Sequence, residues 1–319
     1  MNDIKSWLKD QFGTTTDKVL EALIKSPSAQ GYINGAISEI LLVDYLKSIG
    51  YEVHRIKEKP AGGFNEKKIG YKGDFLINKK GTNIYYVVEC KGLKSNSEFR
   101  GAQTGNDHIK RLTKEQAFKL LKKYLNVDNR KIYDKGKKLY NTSKSKWEEM
   151  NPGMNFPNFD WDINTAGPDN VNLSPYFADS KTLKSFIDLA DEDKLSEIAF
   201  KKRESLFSIL QTHQPSGRID PETGIDQAAP LKSDFSIMAV DLFLRTGEHR
   251  FVFMNPDTIS HSPSSPNHLY QNYIIDILIP GIKDDLSIHH PWYDDIDSCI
   301  KSTNPRTVLF DASQLDYRE

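Results

Sequence analysis

An α/β (α+β) domain is what this sequence predicts, on three observations. Residues 75–88 read FLINKKGTNIYYVV, two apolar runs around a polar turn containing Gly81, which is the composition of a β-hairpin. Residues 31–50 and 114–125 carry apolar side chains at helical spacing. Apolar, well-bounded runs return late, at 235–245, 250–254 and 270–279, and these would complete the sheet begun near residue 72. The chain has 319 residues, 38% hydrophobic and 27% charged, enough to bury a sizeable core and too apolar for global disorder.

Taken in order, residues 1–25 predict one or two amphipathic helices, with Trp7 and Leu8 in the first and Val19, Leu20, Leu23 and Ile24 in the second. Ser-Pro-Ser breaks the pattern. The 31–50 helix ends at Gly50 as a cap, and since both its faces are largely apolar it is expected to be buried nearly all round. Residues 51–55 form a short strand, and 57–71 a basic, glycine-rich loop. After the hairpin no period returns before about Ile109; the 114–125 helix then turns Ala117, Leu120, Leu121 and Tyr124 inward. Residues 126–180 read as an irregular insertion with a few short elements, 181–211 as helical and 212–231 as a polar loop. Thr246-Gly-Glu joins the first two late strands as a hairpin. The expected organisation is one elaborated domain over 1–319. Its core spans about 30–125 plus returning strands at 232–285, with an insertion over about 126–231.

The near-zero net charge conceals a split. Residues 1–150 hold 29 Lys+Arg against 18 Asp+Glu, and residues 151–319 hold 14 against 26, balances of +11 and −12. A basic half suits a polyanionic partner; equally, the two halves can attract each other in the fold. Two cysteines set no disulfide framework and match no zinc spacing. The N-terminus lacks an apolar signal core and the apolar runs are strand-sized, so the expectation is a cytoplasmic protein with no membrane span.

The chemistry concentrates at the hairpin. Asp74 opens its first strand, and Glu89 and Lys91 end its second, so in an antiparallel pair two carboxylates and an ammonium meet at one edge. Glu89 and Lys91, two apart, share a face, and Cys90 points to the opposite one, toward the core. Two carboxylates suit Mg²⁺, and a lysine beside them can orient or deprotonate water or hold a phosphate oxygen. The same charges would also serve as a cross-strand salt bridge or as protection of an edge strand. A third acid, Glu39, lies on the 31–50 helix among Tyr32, Gly35, Ala36, Leu42, Val43 and Leu46. If that stripe faces inward, the carboxylate must be paired or metal-bound; if Ile33, Ile37 and Leu41 face inward instead, Glu39 is exposed.

A helix with an inward glutamate, a strand opening Gly-Asp and a next strand ending Glu-Cys-Lys resemble the PD-(D/E)XK nuclease superfamily, and within it the type II restriction endonucleases. The resemblance covers about residues 31–91, with weaker support to about 125. It departs from the motif in having Gly73 where proline is usual. It implies a mixed β-sheet flanked by helices and Mg²⁺-dependent, sequence-specific cleavage of double-stranded DNA by a homodimer. Asp74 and Glu89, with the Cys90 carbonyl, would hold the metal. Lys91 would act on the nucleophilic water, and Glu39 would support the metal or its water. The alternatives are a repair or junction nuclease of the same superfamily and a non-catalytic DNA-binding protein. The stretch after Lys91 supplies side chains able to read base edges or meet phosphates: Lys94, Asn96, Arg100, Gln103, Asn106, His108, Lys110 and Arg111. His213, Gln214 and Arg218 are further candidates.

Overall fold

The structure is a computed structural model, and it describes residues 4–57, 70–94, 99, 110–125, 129–156, 173–207, 210–212, 218–227, 229–259, 261–262, 265–269, 274–275, 288 and 291–317. Its centre is a mixed sheet. Strands β1 (Tyr51–Arg55), β2 (Phe75–Lys79) and β3 (Tyr85–Lys94) form an antiparallel meander. β7 (Ile237–Asp241) lies parallel to β3, and β8 (Phe251–Met254) closes this part antiparallel to β7. At the far end of β3, β4 (Leu210–Thr212) pairs antiparallel and carries β11 (Ile274–Ile275). Two small hairpins stand apart, β5 (Arg218–Ile219) with β6 (Asp226–Gln227) and β9 (His261–Ser262) with β10 (Ser265–Leu269).

Alternation along the strands sorts side chains into two cores. On one face, Phe75, Ile77, Val88, Ala239 and Phe253 meet Leu42 and Leu46 of α3 (Pro27–Ser48) and Ile296 of α9 (Ile296–Thr303). On the other, Leu76, Val87, Met238, Val240 and Val252 meet α4 (Lys114–Leu121), α6 (Ser180–Leu189) and α7 (Glu197–Lys201). The expected mixed sheet flanked by helices is what forms.

Several expectations need correction. The 31–50 helix is α3, begun by Pro27 behind the capping Ser26 hydroxyl, but it is not buried all round: only Ser38, Leu42 and Leu46 are buried, and Tyr32, Ile33, Ile37 and Ile40 are exposed. The sheet is too short to cover the first half of a 22-residue helix. Ahead of it, α1 (Ile4–Phe12) and α2 (Thr16–Lys25) stack in sequence, and neither contains a buried residue. Residues 126–180 contain a 22-residue helix, α5 (Asn129–Met150), where irregular structure was expected. Its aromatic residues Tyr140 and Trp147 stand seven apart on one buried face, a helical period hidden among lysines and asparagines. The 181–211 stretch is not one helix: it stops at Leu189, resumes as α7 and ends in β4. Asp191 and Ser196 each accept backbone N–H bonds as new N-caps, which breaks the run. The first late strand ends at Asp241, whose carboxylate accepts from Phe243 N and starts the single turn α8 (Phe243–Thr246). Of the 270–279 run, only β11 falls within the described residues.

Candidate active site

The register puts Asp74 next to Glu89. Phe75 pairs with Val88, and the Asp74 N–H donates to Val88 O at 2.9 Å. Gly73 permits this approach: a Cβ there would lie 2.5 Å from Val87 Cγ1 and 2.8 Å from Val88 O, so a side chain at this position, proline included, would push the strands apart. The Asp74 carboxylate accepts the Cys90 N–H at 2.7 Å, which fixes it beside the middle of β3, a strand that runs on to Lys94 and does not end at Glu89 and Lys91 as expected. Alternation turns Asp74, Glu89 and Lys91 to the face that carries Leu76 and Met238, and turns Cys90 into the other core, where it is buried.

Glu89 and Lys91 form an ion pair, their side chains 14% and 22% exposed. Burial first, and then the charge of Asp74, push the Glu89 carboxyl up to about 7, with Asp234 adding and Lys91 opposing. Burial alone would lower Lys91, but the charges of Glu89 and Asp74 outweigh it and hold the ammonium above its ordinary range. Lys91 therefore stands here as a fixed cation and hydrogen-bond donor.

Glu39 stands on α3, which packs on the other face of the sheet. Its carboxylate accepts from Arg55 Nη2 at 2.5 Å. Burial and then the Asp74 charge raise its carboxyl, against Arg55 and Lys91, so Asp74 and Lys91 both act on it electrostatically. Of the two alternatives for the helix, the inward stripe of Leu42 and Leu46 is the real one, and Glu39 lies at its margin, half-buried.

Two acids that the sequence reading passed over complete the surroundings. Asp241, at the end of β7 beside Gly92, accepts from the Ser38 hydroxyl at 2.5 Å and pairs with His249 Nδ1 at 2.7 Å. Ser38 precedes Glu39, so this buried bond fixes the turn of α3 that presents Glu39. Asp234 is buried, with Lys72 Nζ at 3.2 Å and Arg218 Nε at 3.6 Å. The signal was available: Asp234 and Asp241 bracket the apolar strand IMAV as Asp74 and Glu89 bracket the hairpin.

The expected DNA contacts fall mostly outside the described residues: Asn96, Arg100, Gln103, Asn106, His108, His213 and Gln214, together with the side chain of Lys94. Lys110 lies 3.7 Å from Glu197, and Arg111, half of its side chain exposed, 3.4 Å from Asp193. Arg218 faces Asp234. A basic element the sequence reading missed is α5, with seven Lys+Arg against three Asp+Glu. Trp147 anchors it by donating Nε1–H to Thr223 O at 2.8 Å, in the β5–β6 turn that also carries Arg218 toward Asp234.

Among the described residues, no three or more His, Cys, Asp or Glu are grouped to hold a metal ion. What the site offers is a two-carboxylate set in which one acid raises the other. Such a set suits Mg²⁺, which commonly takes one or two carboxylates and completes its shell with water and phosphate; it does not suit an all-protein cage. Among the described residues no helix is long and apolar enough to cross a membrane. No protein-family model, curated protein or solved structure matches the chain.

Proposed function

We propose that this chain is a Mg²⁺-dependent endonuclease for double-stranded DNA, and specifically a type II, sequence-specific restriction enzyme. One observation carries the reading: Asp74, Glu89 and Lys91 share one sheet face, and the charge of Asp74 raises the Glu89 carboxyl. A protein that only bound phosphate would gain nothing from carboxylates gathered beside it. Asp74, Glu89 and the Cys90 carbonyl would hold Mg²⁺, which when bound would supply Lewis-acid stabilisation of the phosphate. Lys91, held charged by its two acids, would donate to a phosphate oxygen or orient the attacking water. Glu39, steadied by Arg55, is the remaining carboxylate and would hold that water or take its proton. The excess of lysine and arginine in residues 1–150, α5 included, supports a polyanionic substrate. Cutting both strands calls for two such sites, hence a homodimer.

Incubating supercoiled plasmid with the full chain, in Mg²⁺ and in EDTA, tests the proposal. Discrete linear fragments in Mg²⁺ alone are the expected result. A smear would mean a nuclease without sequence choice, and DNA left intact at all Mg²⁺ concentrations would overturn the catalytic reading.

A further inference from the structure

We infer, resting on the nuclease reading, that Lys72 and Arg218 form a grip for one backbone phosphate of the DNA, mounted on the buried Asp234 carboxylate beside the catalytic acids. Lys72 Nζ stands 3.2 Å from one Asp234 oxygen, and Arg218 Nε stands 3.6 Å from the other. The carboxylate is 3% exposed, whereas the two cationic side chains are 43% and 39% exposed. One buried acid thus gathers two half-open cations from distant segments of the chain.

The mounting is stiff. Asp234 accepts the Leu231 N–H at 2.9 Å and donates its own N–H to Leu231 O at 3.0 Å, which closes a tight turn just ahead of β7. Lys232 N donates to Asn267 O, and Leu269 N to Pro230 O, so this turn is tied to β10. His268, fully buried on β10, holds Ser265 Oγ and Arg218 O on its two ring nitrogens, at 2.8 and 2.9 Å. The carboxylate and the backbone of Arg218 are therefore fixed to the same hairpin. Lys72 stands two residues ahead of Asp74, whose N–H is held on Val88 O. Little of the cost of ordering these cations is left to be met when a ligand arrives.

Charge and position identify the ligand. Two cations on one carboxylate leave a surplus of one positive charge, and among the described residues neither cation has a second carboxylate within 4.0 Å. Neutralising Asp234 takes only one of them. A phosphodiester carries one negative charge and offers two free oxygens, one for each cation. The charge of Asp234 acts on the Glu89 carboxyl, so a phosphate on the grip is a neighbour of the one to be cut. On the other side, the β5–β6 hairpin that carries Arg218 is bonded through Thr223 O to Trp147 of the basic helix α5. The grip is thus linked to the catalytic acids at one end and to α5 at the other, as a DNA backbone tracking between them requires.

Fluorescence anisotropy of a short DNA duplex with the full chain, in EDTA and across a range of KCl, tests the grip. Lys72→Gln should make the slope of log affinity against log salt shallower by about one, with the circular dichroism of the wild type. Arg218→Gln should act in the same direction. Lys72→Arg keeps the charge and should keep the wild-type slope. An unchanged slope in both glutamine variants overturns the inference. So does an equal loss in Lys72→Arg, which would make Lys72 a structural partner of Asp234 alone. A wild type that binds no duplex refutes the grip and the nuclease reading together. DNA held with the expected slopes but never cut in Mg²⁺ refutes only the nuclease reading, and cutting with unaltered slopes refutes only the grip.

Discussion

Glu89 feels burial, the charge of Asp74 and the ammonium of Lys91 at once, and the balance leaves its carboxyl up at about 7. A carboxyl raised in the folded chain binds its proton more tightly there than in the unfolded chain. Glu89 therefore costs the protein stability as pH climbs from about 4.5 to about 7. In metal-free buffer the stability of Glu89→Gln relative to wild type should rise by on the order of 1–3 kcal/mol between pH 5 and pH 8. Urea denaturation at both pH values measures it; a difference that stays constant would mean that Glu89 is not strained by its neighbours. Glu39 makes a milder case. Glu39→Gln keeps the shape of the side chain but loses the charge beside Asp74. It should slow cleavage and raise the Mg²⁺ requirement while leaving DNA binding in place. Superimposable Mg²⁺ titrations for the two proteins would reduce Glu39 to a partner of Arg55. The sequence placed Asp74, Glu89 and Lys91 together because strand alternation and hairpin register depend on neighbours alone. Arg55, Ser38 and Asp241 were not legible, because their contacts span 16 and 203 residues and no local period encodes such pairings.

Among the elements, α3 is tied to the sheet by apolar packing, by the Arg55–Glu39 pair and by the bond from Ser38 to Asp241. Removing that donor leaves a buried carboxylate with one partner fewer. Ser38→Ala should therefore cost about 1–3 kcal/mol, read as a lower urea midpoint. An unshifted midpoint would leave the packing of Leu42 and Leu46 and the Arg55–Glu39 pair to hold the helix. α5 offers the complementary test of the substrate. Lys138 and Lys146 are exposed on it. If DNA lies along α5, replacing both by alanine should weaken binding alike for all sequences and lower the slope of log affinity against log salt by about two. An unchanged slope would move the DNA to another surface. Elements dense in apolar residues, such as α3 and the hairpin, and α4 with its helical period, were legible in the sequence. α5 was missed because its period is carried by aromatics set among polar residues. The break in 181–211 was missed because Asp191 and Ser196 act as caps through their side chains, and the apolar spacing continues across them.

For the molecule as a whole, the sheet separates two chemistries that the sequence sets side by side. Its two faces are closed by different helices, α3 and α9 on one and α4, α6 and α7 on the other, and β3 sends consecutive residues to each. Cys90 stands between two residues of the proposed catalytic set, yet its thiol belongs to the face without them. Burial pushes that thiol well above its ordinary value, and it pushes Cys299, in the same core, up to about 12. Neither sulfur offers a thiolate to solvent while the sheet is intact. Iodoacetamide at neutral pH should therefore leave cleavage untouched on the timescale of the assay, and loss of activity in step with early alkylation would contradict this face assignment. Over longer times, the rate of alkylation at the two cysteines becomes a clock for the opening of one core. The chain thus carries its own reporter of how often α3 and α9 lift from the sheet.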